Sequence, residues 1–350
     1  MDAAENYRRA ATFQTPERIP MIFHVNAACW HHYPVEALAE RMADHPMLFP
    51  HFDPAAAGPP HTYALDARAG QPYTDGWGCV WQTSDDGITG TVTKHPLANW
   101  DDFDRYAAPD IEASNGRFPV DWDRIARRLA SDKAAGRLAS ASLPHGHTFL
   151  MLCDIRGYEN VMYDMADGEP RLVRLIEMIE RFHLAVIERY VELGAEVIGY
   201  PEDLGMQVGP MLSPEHFRRY VKPTYQRLMA PARRAGCLIH MHSDGDIRSL
   251  AADLVDGGVH ILNLQDLVNG IDWIAGHFAG RVCIDLDIDR QQVTVHGTPR
   301  QIDELIRREV STLGRRAGGL MMIYGLYPGT PLENAAAVMD AMERYAGYFS

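Results

Sequence analysis

The sequence predicts an α/β fold, a (β/α)8 TIM barrel with an amino-terminal, hairpin-containing insertion, and three observations predict it. From about residue 137 onward, apolar runs of strand length alternate with amphipathic segments of helix length. Several of those helical segments open on a hydroxyl residue followed by proline, which marks their starts sharply. No GxGxxG follows any apolar run, which disfavours the open, doubly wound alternative.

Taken in order, a first strand falls within 19–25. Residues 53–118 then break the rhythm with Pro, Gly and Asp, and 76–83 followed by 87–94 reads as a β-hairpin, so this stretch is an insertion or lid over one barrel end. Strands are expected at 138–143, 195–200, 237–241, 260–264, 282–286 and 320–324. Helices are expected at 170–193, 214–235, 246–256, 299–313 and 331–345. Ser213-Pro214, Thr298-Pro299 and Thr330-Pro331 each offer a hydroxyl at the N-cap and a proline at the first helical position, where its missing N–H costs nothing. The strand count approaches eight, and with no internal repeat or linker, residues 1–350 read as one domain.

Composition excludes several classes. With 350 residues, 46% hydrophobic and 23% charged, the chain is neither disordered nor fibrous. Lys plus Arg number 33 against 47 for Asp plus Glu, a formal charge of -14, and no basic cluster tracks a phosphate backbone, so nucleic acid is not an expected partner. The start, MDAAENYRRAATFQTPERIP, lacks a signal-peptide core and no apolar run spans a bilayer; a cytoplasmic protein with no membrane partner is expected. Cys29, Cys79, Cys153, Cys237 and Cys283 are scattered singly, which argues against disulfides and against an all-cysteine zinc site.

In such a barrel the working residues lie where strands end and βα loops begin. That rule selects Glu202 and Asp203, then His242 and Asp244, Gln265 and Asp266, Asp287 and Asp289, and Tyr324. His240 and His242 alternate on one strand and so share a face. Imidazole with carboxylate is a donor set for a divalent cation, and zinc with an open position suits it. The bland alternative is that Asp244 caps a helix and the strand histidines are hydrogen-bonded in the core. Glu202 and Asp203 are adjacent, so on a regular strand only one faces the axis; both could equally be solvated loop carboxylates. His24, His31 and His32 lie near the first strand and offer imidazole ligands, but because adjacent loop histidines do not readily share one ion, all three are assigned to the substrate region.

Several stretches together resemble the uroporphyrinogen decarboxylase superfamily, which also contains corrinoid-dependent methyltransferases and O-demethylases. They are Arg156-Gly157-Tyr158-Glu159-Asn160 with Asp164-Met165, Glu202-Asp203-Leu204-Gly205 with Ser213-Pro214-Glu215, His242-Ser243-Asp244-Gly245-Asp246, and Tyr327-Pro328-Gly329-Thr330-Pro331-Leu332-Glu333-Asn334, with Gly76-Trp77-Gly78 and Pro109-Asp110 earlier. The resemblance covers most of residues 15–348. The family's porphyrinogen decarboxylases grip propionates with an amino-terminal arginine-rich motif. The corresponding stretch here, 20–30, has no arginine, so tetrapyrrole decarboxylation is disfavoured. Thiol-methylating members bind zinc through His-x-Cys and a later cysteine; the matching positions are His242, Asp244 and the neighbourhood of Tyr324, so the thiolates are absent.

The resemblance therefore implies a substrate-side methyltransferase of O-demethylase type, moving a methyl group from a methoxylated small molecule to a corrinoid on a separate carrier protein. Zinc on His242, Asp244 and Glu202 would polarise the ether oxygen, and Asp203 or Tyr324 would protonate it. His24, Trp30, His31, Tyr33, Trp77, Arg156, Gln265 and Asp287 are the substrate-binding candidates, although core packing is the better explanation for any single one of Trp30, His31, Tyr33 and Trp77, and an ordinary ion pair explains Arg156 equally well. A metal-independent decarboxylase or lyase, or a non-catalytic tetrapyrrole- or metabolite-binding protein, remains open on the same barrel. An isologous homodimer is the expected assembly.

Overall fold

The computed structural model describes residues 1–350. β1 (Met21–Val25) begins the main sheet. β2 (Tyr73–Thr74), β3 (Val80–Gln82) and β4 (Thr91–Lys94) form a small antiparallel sheet inside the insertion, so the expected hairpin is present with a third short strand added. β5 (Ser140–Ser142), β6 (Val197–Pro201), β7 (Leu238–Ser243), β8 (Ile261–Gln265), β9 (Cys283–Asp287) and β10 (Leu320–Leu326) complete the main sheet in the order β1-β10-β9-β8-β7-β6-β5, every pair parallel. The fold is a TIM-barrel-like α/β architecture, but with seven paired strands instead of eight, and β1 and β5 are left as edges.

Side-chain parity explains how this sheet is held and what it encloses. Ile198, Tyr200, Ile239, Met241, Leu262, Leu264, Ile284 and Leu286 alternate along β6 to β9 and are fully buried in the principal core, where a buried aliphatic side chain contributes about 1.5–3 kcal/mol. The intervening positions, His240, His242, Asn263, Gln265, Asp285 and Asp287, are polar and share the opposite face. Barrel lumens filled for packing carry branched apolar residues. A polar lumen at the carboxy-terminal strand ends is the mark of a working one.

Most strands run one or two residues further than their apolar runs. β7 ends at Ser243, β8 at Gln265 and β9 at Asp287, because the polar residues that end an apolar run still pair through their backbones. Pro170–Glu192 and Pro299–Leu313 match expectation, whereas the helix beginning at Pro214 contains a π-turn at Phe217–Val221 before continuing as Lys222–Arg234. Ser213 accepts from His216 N at 3.1 Å, and Thr298 forms a capping box with Gln301, each cap worth about 1 kcal/mol. Thr330 does not cap its helix, which is Leu332–Ala346 with Pro331 at the N-cap; its carbonyl instead accepts from the Tyr33 hydroxyl. The expected 246–256 helix shortens to Ala251–Asp256, since Asp246 is pinned by Arg248 and the Ile247 N–H donates to Asn269.

The insertion reaches the loops beyond both edge strands. Arg117 is buried, donates to Asp66 at 2.9 Å and to the His145 carbonyl after β5, and lies 3.5 Å above the Trp81 ring. Asp85 meets His31 and His32 after β1. No helix is long and apolar enough to cross a membrane.

Candidate active site

Register decides which side chains reach the mouth of the lumen. Pro201 pairs with His242, and His242 with Asn263, so these three positions share a face. By alternation Glu202 then faces outward and Asp203 inward. Asp203 Oδ1 lies 3.3 Å from His145 Nε2 and 3.5 Å from His242 Nε2, and it accepts the Asp244 N–H at 3.1 Å. Asp244 Oδ1 lies 3.6 Å from His242 Nε2 and 3.2 Å from Arg290 Nη2, which donates to Asp287 Oδ2 at 2.7 Å. His242 Nδ1 is hydrogen-bonded to Asn263 Oδ1, and Asn263 donates in turn to the Asp285 carbonyl. Deeper in the lumen His240 Nε2 and Asp285 Oδ2 are 2.8 Å apart.

Two glycines bring the loops together. Gly245 has φ +81°, and a Cβ there would lie 2.2 Å from the Gly205 carbonyl carbon; a Cβ on Gly205 would lie 2.5 Å from that of Gly245. This contact between the loops after β6 and β7 sets Asp203 beside Asp244. Ser243 Oγ accepts the Leu204 N–H at 2.9 Å and fixes the same junction.

Electrostatics follows the geometry. Burial alone would raise the Asp203 carboxyl, but hydrogen bonds from His145 and His242 hold it well below the ordinary carboxylate range. Burial would lower the His242 imidazole, yet Asp203, Asp244 and Asn263 together raise it to about 9. Asp287 is pushed up to about 7 by burial, against the pull of Arg290. Two donor groups gather on His242: His145–Asp203–His242 and His242–Asp244–Asp287, each with its ligand atoms within 4.8 Å of one another. Arg290 already bridges both carboxylates of the second, so the first is the better cation site.

Several sequence-derived assignments need correction. Glu202 is fully buried outside the lumen, where its carboxylate accepts the N–H groups of Thr148, Phe149 and Leu150 and the Tyr225 hydroxyl at 2.6 Å; it supports a helix start instead of a metal. Tyr324 registers with Phe23 on the outward face, 5.1 Å from its ring, and does not meet the cluster. Asp203 is held too acidic to be a proton donor. Arg156 is buried against Asp164 and the carbonyls of Leu97 and Ala98, and Trp77 is buried against Phe182. Tyr33 donates to the Tyr327 and Thr330 carbonyls, and Trp30 stacks on Phe52, so both brace the rim. His31 is engaged by Asp85 and Tyr63.

Of the remaining candidates, His24 is exposed on β1 in register with Gly325, Gln265 accepts the Gly245 N–H at 2.9 Å, and Asp287 holds Arg290. His145 and Arg290 were missed. His145 lies two residues past the 138–143 run, after Pro144, so the strand-end rule applied there would have found it. Arg290 lies three residues past a strand end and offered no comparable signal.

Fold and site together define a TIM-barrel-like protein with an imidazole–carboxylate cluster at its polar carboxy-terminal mouth, the place where barrel enzymes work. The sequence profile of the uroporphyrinogen decarboxylase (URO-D) family matches residues 76–345, and the chain belongs to that family. Uroporphyrinogen decarboxylases from two strains of Thermus thermophilus are 28% and 27% identical over 178 residues, which is 49% of this chain and 48% of each relative. The chain thus spans about half the length of the curated relatives it matches. A methyltransferase from Methanosarcina mazei has the same fold, with a TM-score of 0.69 at 15% identity over 99% of both chains.

Proposed function

We propose that this protein moves a methyl group from a methoxylated small molecule to a corrinoid held on a separate carrier protein. The observation that carries the reading is the convergence of His145, Asp203 and His242 at the open end of a polar lumen. Two imidazole nitrogens and a carboxylate are a borderline donor set, and Asn263 on His242 Nδ1 leaves Nε2 turned to the cluster, so a zinc-class cation fits. When bound there, such a cation supplies a Lewis acid for an ether oxygen. The likeness in fold to a methyltransferase and the absence of arginine from residues 20–30 support the same direction.

The chain's own residues would hold and orient the substrate. Arg290 is paired with Asp244 and Asp287, and Asp244 Oδ1 in turn lies 3.6 Å from His242 Nε2, beside the His145–Asp203–His242 trio. The methyl carbon would leave without the C–O electron pair, which stays on oxygen and takes one proton from water at the open mouth, and the chemistry a reduced corrinoid would supply is the electron pair for the new carbon bond.

Metal analysis of the purified chain, beside His242→Ala and Asp203→Asn, tests the cation site: about one equivalent at the trio is expected, lost in both variants. Conversion of cob(I)alamin to methylcobalamin, followed by absorbance with methoxylated aromatics, tests the transfer. A second reading is favoured by Arg290, which already places a fixed cation between Asp244 and Asp287. A metal-independent decarboxylase or lyase would use that guanidinium on a substrate carboxylate. Activity that survives chelation and collapses in Arg290→Met would establish it instead.

A further inference from the structure

A second cluster of ligand-type side chains lies outside the central site and shares no residue with it. His31 and His32 sit on the single helical turn Cys29–His32 that follows β1, and both rings turn toward one carboxylate. His31 Nε2 is 3.2 Å from Asp85 Oδ1, and His32 Nε2 is 2.8 Å from Asp85 Oδ2. All three donor atoms lie within 4.8 Å of one another. Adjacent histidines were not expected to share an ion. The helical turn removes that objection, since it sets the two ring centroids 4.9 Å apart on the same side.

The surroundings hold this arrangement in place. Tyr63 Oη is 3.1 Å from His31 Nδ1; with Nδ1–H donating to that oxygen, Nε2 is left with its lone pair facing Asp85. Thr83 Oγ1 accepts the Asp85 N–H and donates to the Asp85 carbonyl, which fixes the carboxylate's own turn. Gly87, at φ +87°, lets the insertion backbone lie directly on the start of the histidine turn: a Cβ there would be 2.5 Å from the Ala28 nitrogen. The two segments are therefore locked face to face before any ion arrives.

We propose that His31, His32 and Asp85 form a binding site for a borderline divalent cation of the zinc class. Two imidazoles and one carboxylate match that class, and the solvent-facing side leaves room for a water ligand. A cation there would tie the loop after edge strand β1 to the insertion, beside the gap in the barrel.

Cobalt(II) is the probe, because its visible absorption reports coordination by imidazole. Side-chain exposure of 32%, 41% and 38% at His31, His32 and Asp85 places the substitutions at the surface, where folding tolerates them. Cobalt titration of the full chain is compared with His31→Ala and His32→Ala, and repeated in a His242→Ala background that removes the central site. The expected result is one equivalent retained in His242→Ala, with affinity falling on the order of tenfold or more when either His31 or His32 is also replaced. Slower amide exchange over residues 80–94 should accompany binding in the wild type and not in His32→Ala. No cobalt retained in His242→Ala, or retention indifferent to His31→Ala and His32→Ala, overturns the proposal. Because the clusters share no side chain, failure of the central site leaves this readout intact.

Discussion

His183 is fully buried beside Trp77 and His147, with neither ring nitrogen hydrogen-bonded, and burial pushes its imidazole down to about 3. In the unfolded chain the ring takes up a proton near pH 6.5, while the folded chain resists until about 3. Stability from this residue is therefore intact above pH 6.5 and drains away as the pH falls toward 3, by about 1.4 kcal/mol per unit. His183→Leu should match or exceed the wild type at pH 7.5, since no hydrogen bond is lost, and should lose less on going to pH 5. Urea midpoints at the two pH values check this, and parallel losses in both proteins would refute it. Glu202 makes the complementary case. Glu202→Gln leaves one of the Thr148, Phe149, Leu150 or Tyr225 partners badly matched and should cost about 1–3 kcal/mol, while metal content stays unchanged. Loss of metal at unaltered stability would restore Glu202 as a ligand.

The elements show why some residues were legible in the sequence and others were not. Asp203, His242 and Asp244 were found because strand ends in a barrel deliver side chains to the mouth, a rule that needs only the apolar runs. The roles of Glu202 and Asp203 could not be separated that way, since which neighbour faces inward depends on the Pro201–His242 register. The close approach of Gly205 and Gly245 was equally invisible, being a contact between two loops. Gly245→Ala puts a methyl group into the Gly205 backbone, whereas Gly209→Ala, at φ +76° with nothing within 4 Å, meets only the strain of the left-handed conformation. Both should lose stability, Gly209→Ala by about 1 kcal/mol and Gly245→Ala by roughly 1–3 kcal/mol beyond that. Only Gly245→Ala should also weaken cation binding at His242. Denaturation and metal titration of the pair decide it.

For the whole molecule, the insertion matters because the main sheet has two edges where a closed barrel has none. Arg117 is the buried anchor: it pairs with Asp66, stacks on Trp81 and holds the His145 carbonyl, linking the insertion to a proposed cation ligand. Arg117→Met strands the Asp66 carboxylate and should cost about 3–5 kcal/mol. Adding Asp66→Asn removes the buried charge and should return part of that loss while leaving His145 less well placed. A double-mutant cycle read by denaturation, with metal affinity measured alongside, separates the two effects.

The sequence by itself determined the alternation of strands and helices, the two hydroxyl caps that formed, the insertion and the set of strand ends that carry polar residues, because each is written in local periodicity and turn chemistry. Only the tertiary structure decided that seven strands pair instead of eight, that Glu202 and Tyr324 face away from the lumen, that His145 and Arg290 join the cluster, and that His31 and His32 converge on Asp85. Those outcomes depend on register and on contacts between segments far apart in the chain. A residue carries its own chemistry, but which neighbours it meets is set by how the strands align and where the loops touch.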